Sequence, residues 1–282
     1  MPQTLLNFKL ESTDEKLTPR VGVAIFGEYL KGMRLESLCN SNIPLANHPN
    51  GYTPFEFIYP LILMLHSGGR VLDDIKEIRL DKALSTLLKM KNIPTASAFT
   101  KYLHKHGIDG ETAMRKINKH YLKRFLKSIE NEELILDIDA TFIEAHKNTA
   151  KWSYKDAPGY MPMIGHINGG WVIDADFRDG NVAPADKNLE FIKQCALQLP
   201  IGVKFNRFRA DSASYQADIF NYCEEENILF SVTAKKNKNV FESIKNIKDD
   251  KWQTFSKREK IAEFIHTMID TNSAFRMIVI KK

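Results

Sequence analysis

An α/β layered core, preceded by an all-α N-terminal region and followed by the start of a β-rich insertion, is the architecture that this 282-residue sequence predicts. Three observations carry it. Apolar residues recur at helical spacing up to about residue 130. From Glu132 the texture changes to short elements in the order strand-strand-strand-helix-strand-helix-strand, a meander followed by βα units. Beyond Ala234 the chain turns Lys-rich, with strand-like runs near 252–255, 261–268 and 275–280. The expected divisions are therefore 1–130, 131–235 and 236–282.

At 43% hydrophobic and 27% charged residues, a chain of this length can bury a sizeable core. Cys39, Cys195 and Cys223 are an odd number without close pairing, which argues for a reducing compartment and against a disulfide scaffold or zinc ribbon. The N-terminus lacks a basic segment followed by an apolar one. The most apolar run, 55–65, is interrupted by Glu56 and Pro60 and is too short to span a bilayer. No membrane partner is expected, and the cytoplasm is the expected location.

In chain order, residues 21–31 and 55–66 read as helices separated by a Pro/Asn/Gly-rich loop, 40–54. Ser67-Gly68-Gly69-Arg70 is a breaker, followed by helical runs at 71–79 and 83–90. Pro94-Thr95-Ala96-Ser97 starts a further helix over 98–106, with Thr95 or Ser97 as its cap. Short helices joined by tight turns fit helix-turn-helix DNA binding and any small helical bundle equally well.

The helix expected over 111–129 is more informative. Met114, Ile117, Tyr121 and Phe125 form an apolar stripe, while Lys116, Lys119, Lys123 and Lys127, joined by Arg115 and Arg124, form a basic face read as lacking acidic partners at helical spacing. Overall charge is only +5, with pI ≈ 8.9, but residues 101–127 hold eight Lys/Arg against two acids and 231–260 hold nine against four. Such local excess suits a polyanion, because neutralising phosphates releases counterions. A solvated helix face explains it as well.

After the strand at 134–141 comes a Lys/Trp/Tyr-containing loop. A hairpin is expected next, with 160–167 turning at Asn168-Gly169-Gly170 into 171–177. The remaining elements are a helix over 185–199, a strand over 203–210, a helix over 214–226 and a strand over 228–234. Asp174 and Asp176 read as solvent-facing. Trp152 and Tyr160 either stack on a base or pack in the core, the latter being the safer reading. Arg178 and Asn181 either hold DNA, orient a carboxylate or simply make a turn. His146 and His166 lack metal-like spacing.

The chemistry is concentrated in Leu134-Ile135-Leu136-Asp137-Ile138-Asp139-Ala140-Thr141. Strand alternation turns Asp137 and Asp139 to one face. Acids are depleted in strands, so a pair at the end of one points to a cation site or a charged nucleophile. A second strand-like run, Phe205-Asn206-Arg207-Phe208-Arg209-Ala210-Asp211-Ser212, also ends in an Asp, 72 residues after Asp139. The element order is that of a ribonuclease-H-like domain, whose first and fourth strands are neighbours, so Asp139 and Asp211 are expected to converge. Converging carboxylates repel unless a cation lies between them, and hard oxygens suit Mg²⁺ or Mn²⁺. Two such ions about 3.5–4 Å apart support in-line phosphoryl displacement. Strand breaking and joining is the expected reaction.

These motifs, with Gly159-Tyr160-Met161-Pro162, Phe177-Arg178-Asp179-Gly180-Asn181 and the earlier Ser67-Gly68-Gly69-Arg70-Val71-Leu72-Asp73-Asp74 and Ile93-Pro94-Thr95, resemble the DDE transposases of the IS4-like group and, within it, the IS1380 family. The resemblance covers nearly the whole chain. It implies Asp139 and Asp211 as the first two acids of a catalytic and metal-binding triad, with Asp137 as a further candidate ligand. It also implies double-stranded DNA carrying terminal inverted repeats as partner, a homodimer on paired ends and a place beside the nucleoid. The family's third acid is a Glu on a helix after a β-rich insertion. The segment from about 236 to 282 resembles that insertion only part-built, with no helix carrying such a Glu after it, so the expectation is a C-terminally truncated transposase that does not complete strand transfer alone.

Two other readings stand beside this one. Asp137-Ile138-Asp139-Ala140-Thr141 also resembles the nucleophile motif of haloacid-dehalogenase-like phosphatases, in which the first Asp attacks phosphorus. The chain also fits a catalytically dead DNA-binding fragment that regulates transposition.

Overall fold

The computed structural model describes residues 4–5, 8–9, 12–44, 51–129 and 132–282; the middle of the expected 40–54 loop lies outside them. Two compact units divide the chain, Met1–Ile117 and Asn118–Lys282. The division falls inside a helix, upstream of the expected boundary near 130.

The first unit opens with two two-residue strands, β1 (Thr4–Leu5) and β2 (Phe8–Lys9), paired antiparallel. Helices follow: α1 (Val21–Gly32), α2 (Leu35–Asn42), α3 (Pro54–His66), α4 (Ile75–Leu80) and α5 (Lys82–Leu87). The start of α3 is set by its sequence. Thr53 Oγ1 accepts from the Glu56 amide at 3.2 Å, Glu56 Oε2 accepts from the Thr53 amide at 2.8 Å, and Pro54 fills the first turn, where its missing N–H costs nothing. Phe57 stacks on Tyr102 at 3.9 Å between centroids and meets Phe99 edge-on at 5.3 Å, among buried Leu63, Ile78, Leu84 and Leu88. Asp81 caps α5 through Leu84 N at 2.8 Å and also accepts from Thr18 Oγ1 at 2.5 Å and Arg20 at 3.4 Å.

The two helices expected over 98–106 and 111–129 are one, α6 (Ala96–Leu126), capped by Thr95 and broken only at His106, whose φ −112° and ψ 17° leave the helical region. Gly107 and Gly110 weaken helix propensity without ending the helix. Its apolar stripe is shifted: Ala113, Ile117, Leu122 and Leu126 are buried, whereas Met114 is exposed.

The second unit is a mixed α/β layer. Its five-stranded sheet comprises β3 (Ile135–Ala140), β7 (Met163–Ile167), β8 (Trp171–Asp176), β9 (Arg207–Ala210) and β10 (Leu229–Val232), in spatial order β10-β9-β3-β7-β8. β3 runs parallel to β9 and antiparallel to β7. Helices α7 (Asn188–Gln198) and α8 (Ala217–Glu225) supply Phe191, Ile192, Cys195, Ile219, Phe220 and Cys223 to a core shared with Leu136, Ile138, Met163, Ile173 and Phe208.

Between β3 and β7 lies a small sheet that the sequence presents only as a loop: β4 (Ile143–Glu144), β5 (Lys151–Trp152) and β6 (Pro158–Tyr160), in order β4-β6-β5. Tyr160 belongs here and not to the expected hairpin, because Pro162 cannot donate to a ladder; its carbonyl accepts from Thr141 N instead. After β10 come α9 (Lys238–Lys245) and an antiparallel sheet of β11 (Gln253–Ser256), β12 (Glu259–His266) and β13 (Phe275–Lys281). No helix among the described residues is long and apolar enough to cross a membrane.

Candidate active site

The site forms where β3 and β9 end together. Their register sets Asp137 beside Arg209 and Ile138 beside Ala210, where the pairing stops; Asp139 is the next residue on β3, and Asp211 is the first residue past the end of β9. Leu136, Ile138 and Phe208 bury the opposite face. Alternation then leaves Asp137, Asp139, Arg209 and Asp211 together on the other.

Along this face the charges form a sequence. Arg207 Nε donates to Glu133 at 2.7 Å, and Arg209 grips Asp137 with Nε at 2.5 Å and Nη2 at 2.8 Å. Each acid raises the pKa of its arginine, through the hydrogen bond first and its charge second. The third acid, Asp139, has an acid and not an arginine at the corresponding position of the neighbouring segment, Asp211, one residue past the recorded pairing. Like charges set opposite on paired strands repel. Asp139 accepts from Thr141 Oγ1 at 3.4 Å, and Asp211 accepts from Ala213 N at 2.9 Å, where it caps a short turn. Among the described residues no group of three or more His, Cys, Asp or Glu side chains is gathered to hold a metal. The two aspartates offer hard oxygens on an exposed face, a donor set that fits Mg²⁺ or Mn²⁺. Asp137 shares the face, with both oxygens engaged by Arg209.

The other candidates separate. Arg178, read as a DNA contact or an orienting group, lies inside the protein, only 7% exposed. Its Nε donates to the Met161 carbonyl at 3.0 Å and Nη1 to the Asp186 carbonyl at 2.9 Å, so it ties down a loop and does not reach a phosphate. Desolvation lowers its pKa, against the opposing charges of Asp176 and Asp186. That loop returns towards Asp211: Gln216 donates to Ala185 O and Asn188 to Ser214 Oγ. Asn181 is exposed. Asp174, expected in solvent, is 4% exposed, because a bulge between Gly165 and His166 shifts the register of β8 and buries both Ile173 and Asp174. Trp152, expected to pack inside, is 66% exposed.

On α6, Lys116, Lys123 and Arg124 face solvent, as does Lys127 in the short turn that follows. The face is not free of acidic partners. Arg115 pairs with Glu111 at 2.9 Å, one turn earlier, and Lys119 donates to the Leu197 carbonyl at 2.7 Å, near the C-terminal end of α7, where cations are favoured. The first unit holds a basic cavity, about 740 Å³ and lined by Lys16, Arg79, Lys82, Lys89 and Lys91 without an acid. Four of these five cations fall within residues 79–91, where Asp81 is the one acid.

A family model described as transposase DDE domain group 1 matches residues 5–281. Comparison with curated proteins finds no match. Among solved structures the chain is similar to the Mos1 strand transfer complex, at 13% identity over 83% of this chain and 84% of that one with TM-score 0.27. It is also similar to a pre-cleavage Mos1 transpososome, at 9% identity over 81% and 84% with TM-score 0.20. With its model matched over almost the whole length, the chain belongs to the DDE transposase family, group 1.

Proposed function

We propose that this transposase acts on double-stranded DNA at the terminal inverted repeats of an insertion sequence of the IS4-like, IS1380 type, as a homodimer in the cytoplasm beside the nucleoid. The single observation that supports the reading most is the parallel β3–β9 register, which after two acid–arginine pairs leads Asp139 and Asp211 out of the same end of the sheet with no arginine between them. Asp139 and Asp211 would hold Mg²⁺ or Mn²⁺. A divalent ion bound there supplies charge stabilisation for in-line phosphoryl transfer. The chain's own residues do the positioning. Arg209 removes Asp137 from competition for the ion, and Arg178 secures the loop that borders Asp211. Lys116, Lys123, Arg124, Lys127 and Asn181, with the basic cavity of the first unit, are proposed to contact the phosphate backbone.

A second reading has its own support. Asp137, the further candidate ligand, has both oxygens engaged by Arg209, and the alternative proposed is a form that binds DNA ends without completing strand transfer. The phosphatase reading is not favoured, because its nucleophile would be Asp137, whose oxygens Arg209 occupies, and because β3 is followed by an antiparallel neighbour, β7.

The test is divalent-ion-dependent cleavage of a labelled duplex carrying the element's terminal repeat. Cleavage that is lost in Asp139→Ala and Asp211→Ala supports the site. Cleavage indifferent to both substitutions removes it.

A further inference from the structure

The cations of the basic cavity in the first unit come from four separate pieces of chain. Lys16 lies in the segment before α1, Arg79 on α4, Lys82 on α5, and Lys89 and Lys91 in the loop that follows α5. The acids of α4 and of the α5 cap are already taken. Arg20 pairs with Glu77 at 2.9 Å and with Asp81 at 3.4 Å, and Asp81 also accepts from Thr18 Oγ1 and Leu84 N. Among the described residues, none of the five lining cations has a side-chain ion pair or hydrogen bond. Five positive charges thus surround one concavity without a balancing group from the chain, an arrangement that repels itself unless an anion enters.

One of these cations is held against a backbone preference. Met90 N donates to Ser85 O at 2.9 Å and Lys89 N to Thr86 O at 3.2 Å, the two bonds that close a helix C-terminus in a Schellman motif. The motif puts Lys89 in the left-handed region, at φ +50°. Glycine takes that position without strain, whereas lysine is strained there and sets its charge on the cavity wall.

Shape and charge together select the ligand. The volume, about 740 Å³, lies within the range of small-molecule sites, about 300–1,000 Å³. A duplex is gripped along a groove or a row of phosphates, whereas these cations ring a single concavity, to which Ser85, Thr86 and Asn92 add hydrogen-bonding groups. Building on the transposase reading, in which this cavity touches the phosphate backbone, we propose that it also takes a free linear polyphosphate, as the inorganic chain or as the tail of a nucleotide, and that an occupied cavity excludes DNA. The polyphosphate level then sets how much of the transposase is available to DNA ends.

The experiment titrates the whole chain calorimetrically with sodium tripolyphosphate in EDTA, so that metal at Asp139 and Asp211 plays no part. Wild type should bind tripolyphosphate at least about tenfold more tightly than orthophosphate, because several cations are engaged at once. Lys89→Gly should melt no lower than wild type and yet bind tripolyphosphate at least about threefold more weakly, a loss of binding without a loss of stability. Lys82→Gln should weaken binding as well. Saturating tripolyphosphate should release a labelled terminal-repeat duplex from wild type. ATP bound more tightly than tripolyphosphate assigns the nucleotide form, and ATP bound equally or more weakly assigns the inorganic chain. Tripolyphosphate bound no more tightly than orthophosphate, or bound equally by wild type and both variants, overturns the proposal, as does a duplex that stays bound. The DNA reading survives each of those results and fails if wild type binds no duplex when tripolyphosphate is absent.

Discussion

Arg209 holds Asp137 by both carboxylate oxygens across the β9–β3 pairing, two residues before Asp139 on one strand and two before Asp211 on the other segment. A cation that binds the terminal pair therefore meets a neighbouring charge that is already balanced. Changing either member of the Arg209–Asp137 pair should alter the field at the site with opposite signs. Arg209→Gln exposes a third negative charge and should tighten Mn²⁺ binding. Asp137→Asn leaves an unpaired arginine and should weaken it. Stability should change by about 1 kcal/mol in each, because Arg209 is 62% exposed although Asp137 is only 18% exposed. Calorimetric titration with Mn²⁺ checks this, and shifts of the same sign in both variants would count against it.

The basic cavity of the first unit should contribute to DNA affinity without sequence preference. Neutralising Lys82, Lys89 and Lys91 one at a time with Gln should lower the slope of log K against log salt by about 0.9 for each phosphate that is no longer neutralised. Filter binding between about 50 and 200 mM salt reads this directly. Unchanged slopes would remove the cavity from the interface.

Asp81 gives the first unit an acid-sensitive point. Burial raises its pKa, but the bonds from Thr18, Leu84 and Arg20 outweigh it, and the carboxyl titrates below its ordinary value. Its folded pKa is thus below the unfolded one, near about 3.9. The stability it adds is fully present above that pH and is lost as pH falls through the folded value. Asp81→Ala should destabilise the chain by about 1–3 kcal/mol at neutral pH, and the deficit should shrink in acid. Urea melts at pH 7 and pH 3 measure both quantities.

Cys39 and Cys223 are buried, and burial pushes each thiol up to about 12. Thiolate is the reactive form, so neither should react with a disulfide reagent such as Ellman's at pH 8 until the chain unfolds. Rapid labelling of the native protein would contradict the packing around them.

The strand 134–141, its neighbour ending at Asp211 and the βα succession are legible in the sequence, because period-2 alternation and a change of texture are local signals. What stays hidden depends on register or on distance in the chain. Arg209 is in plain view as a residue, but its grip on Asp137 follows from a parallel pairing across 72 positions. Asp174 is buried by one bulge, which alternation cannot anticipate. Two-residue strands such as β4 and β5 carry no periodicity, so the sheet that exposes Trp152 reads as a loop. Arg178 sits in a polar turn motif that gives no sign of its burial, since the carbonyls that accept its bonds belong to Met161 and Asp186.

The central claim is that Asp139 and Asp211 are neighbours that need a cation between them, and thermal unfolding with and without Mn²⁺ tests it most directly. Mn²⁺ should stabilise wild type. Asp139→Asn and Asp211→Asn should each melt at a higher temperature than wild type without the ion, since repulsion is relieved, and gain little when Mn²⁺ is added. Equal Mn²⁺ stabilisation in wild type and both variants would contradict it.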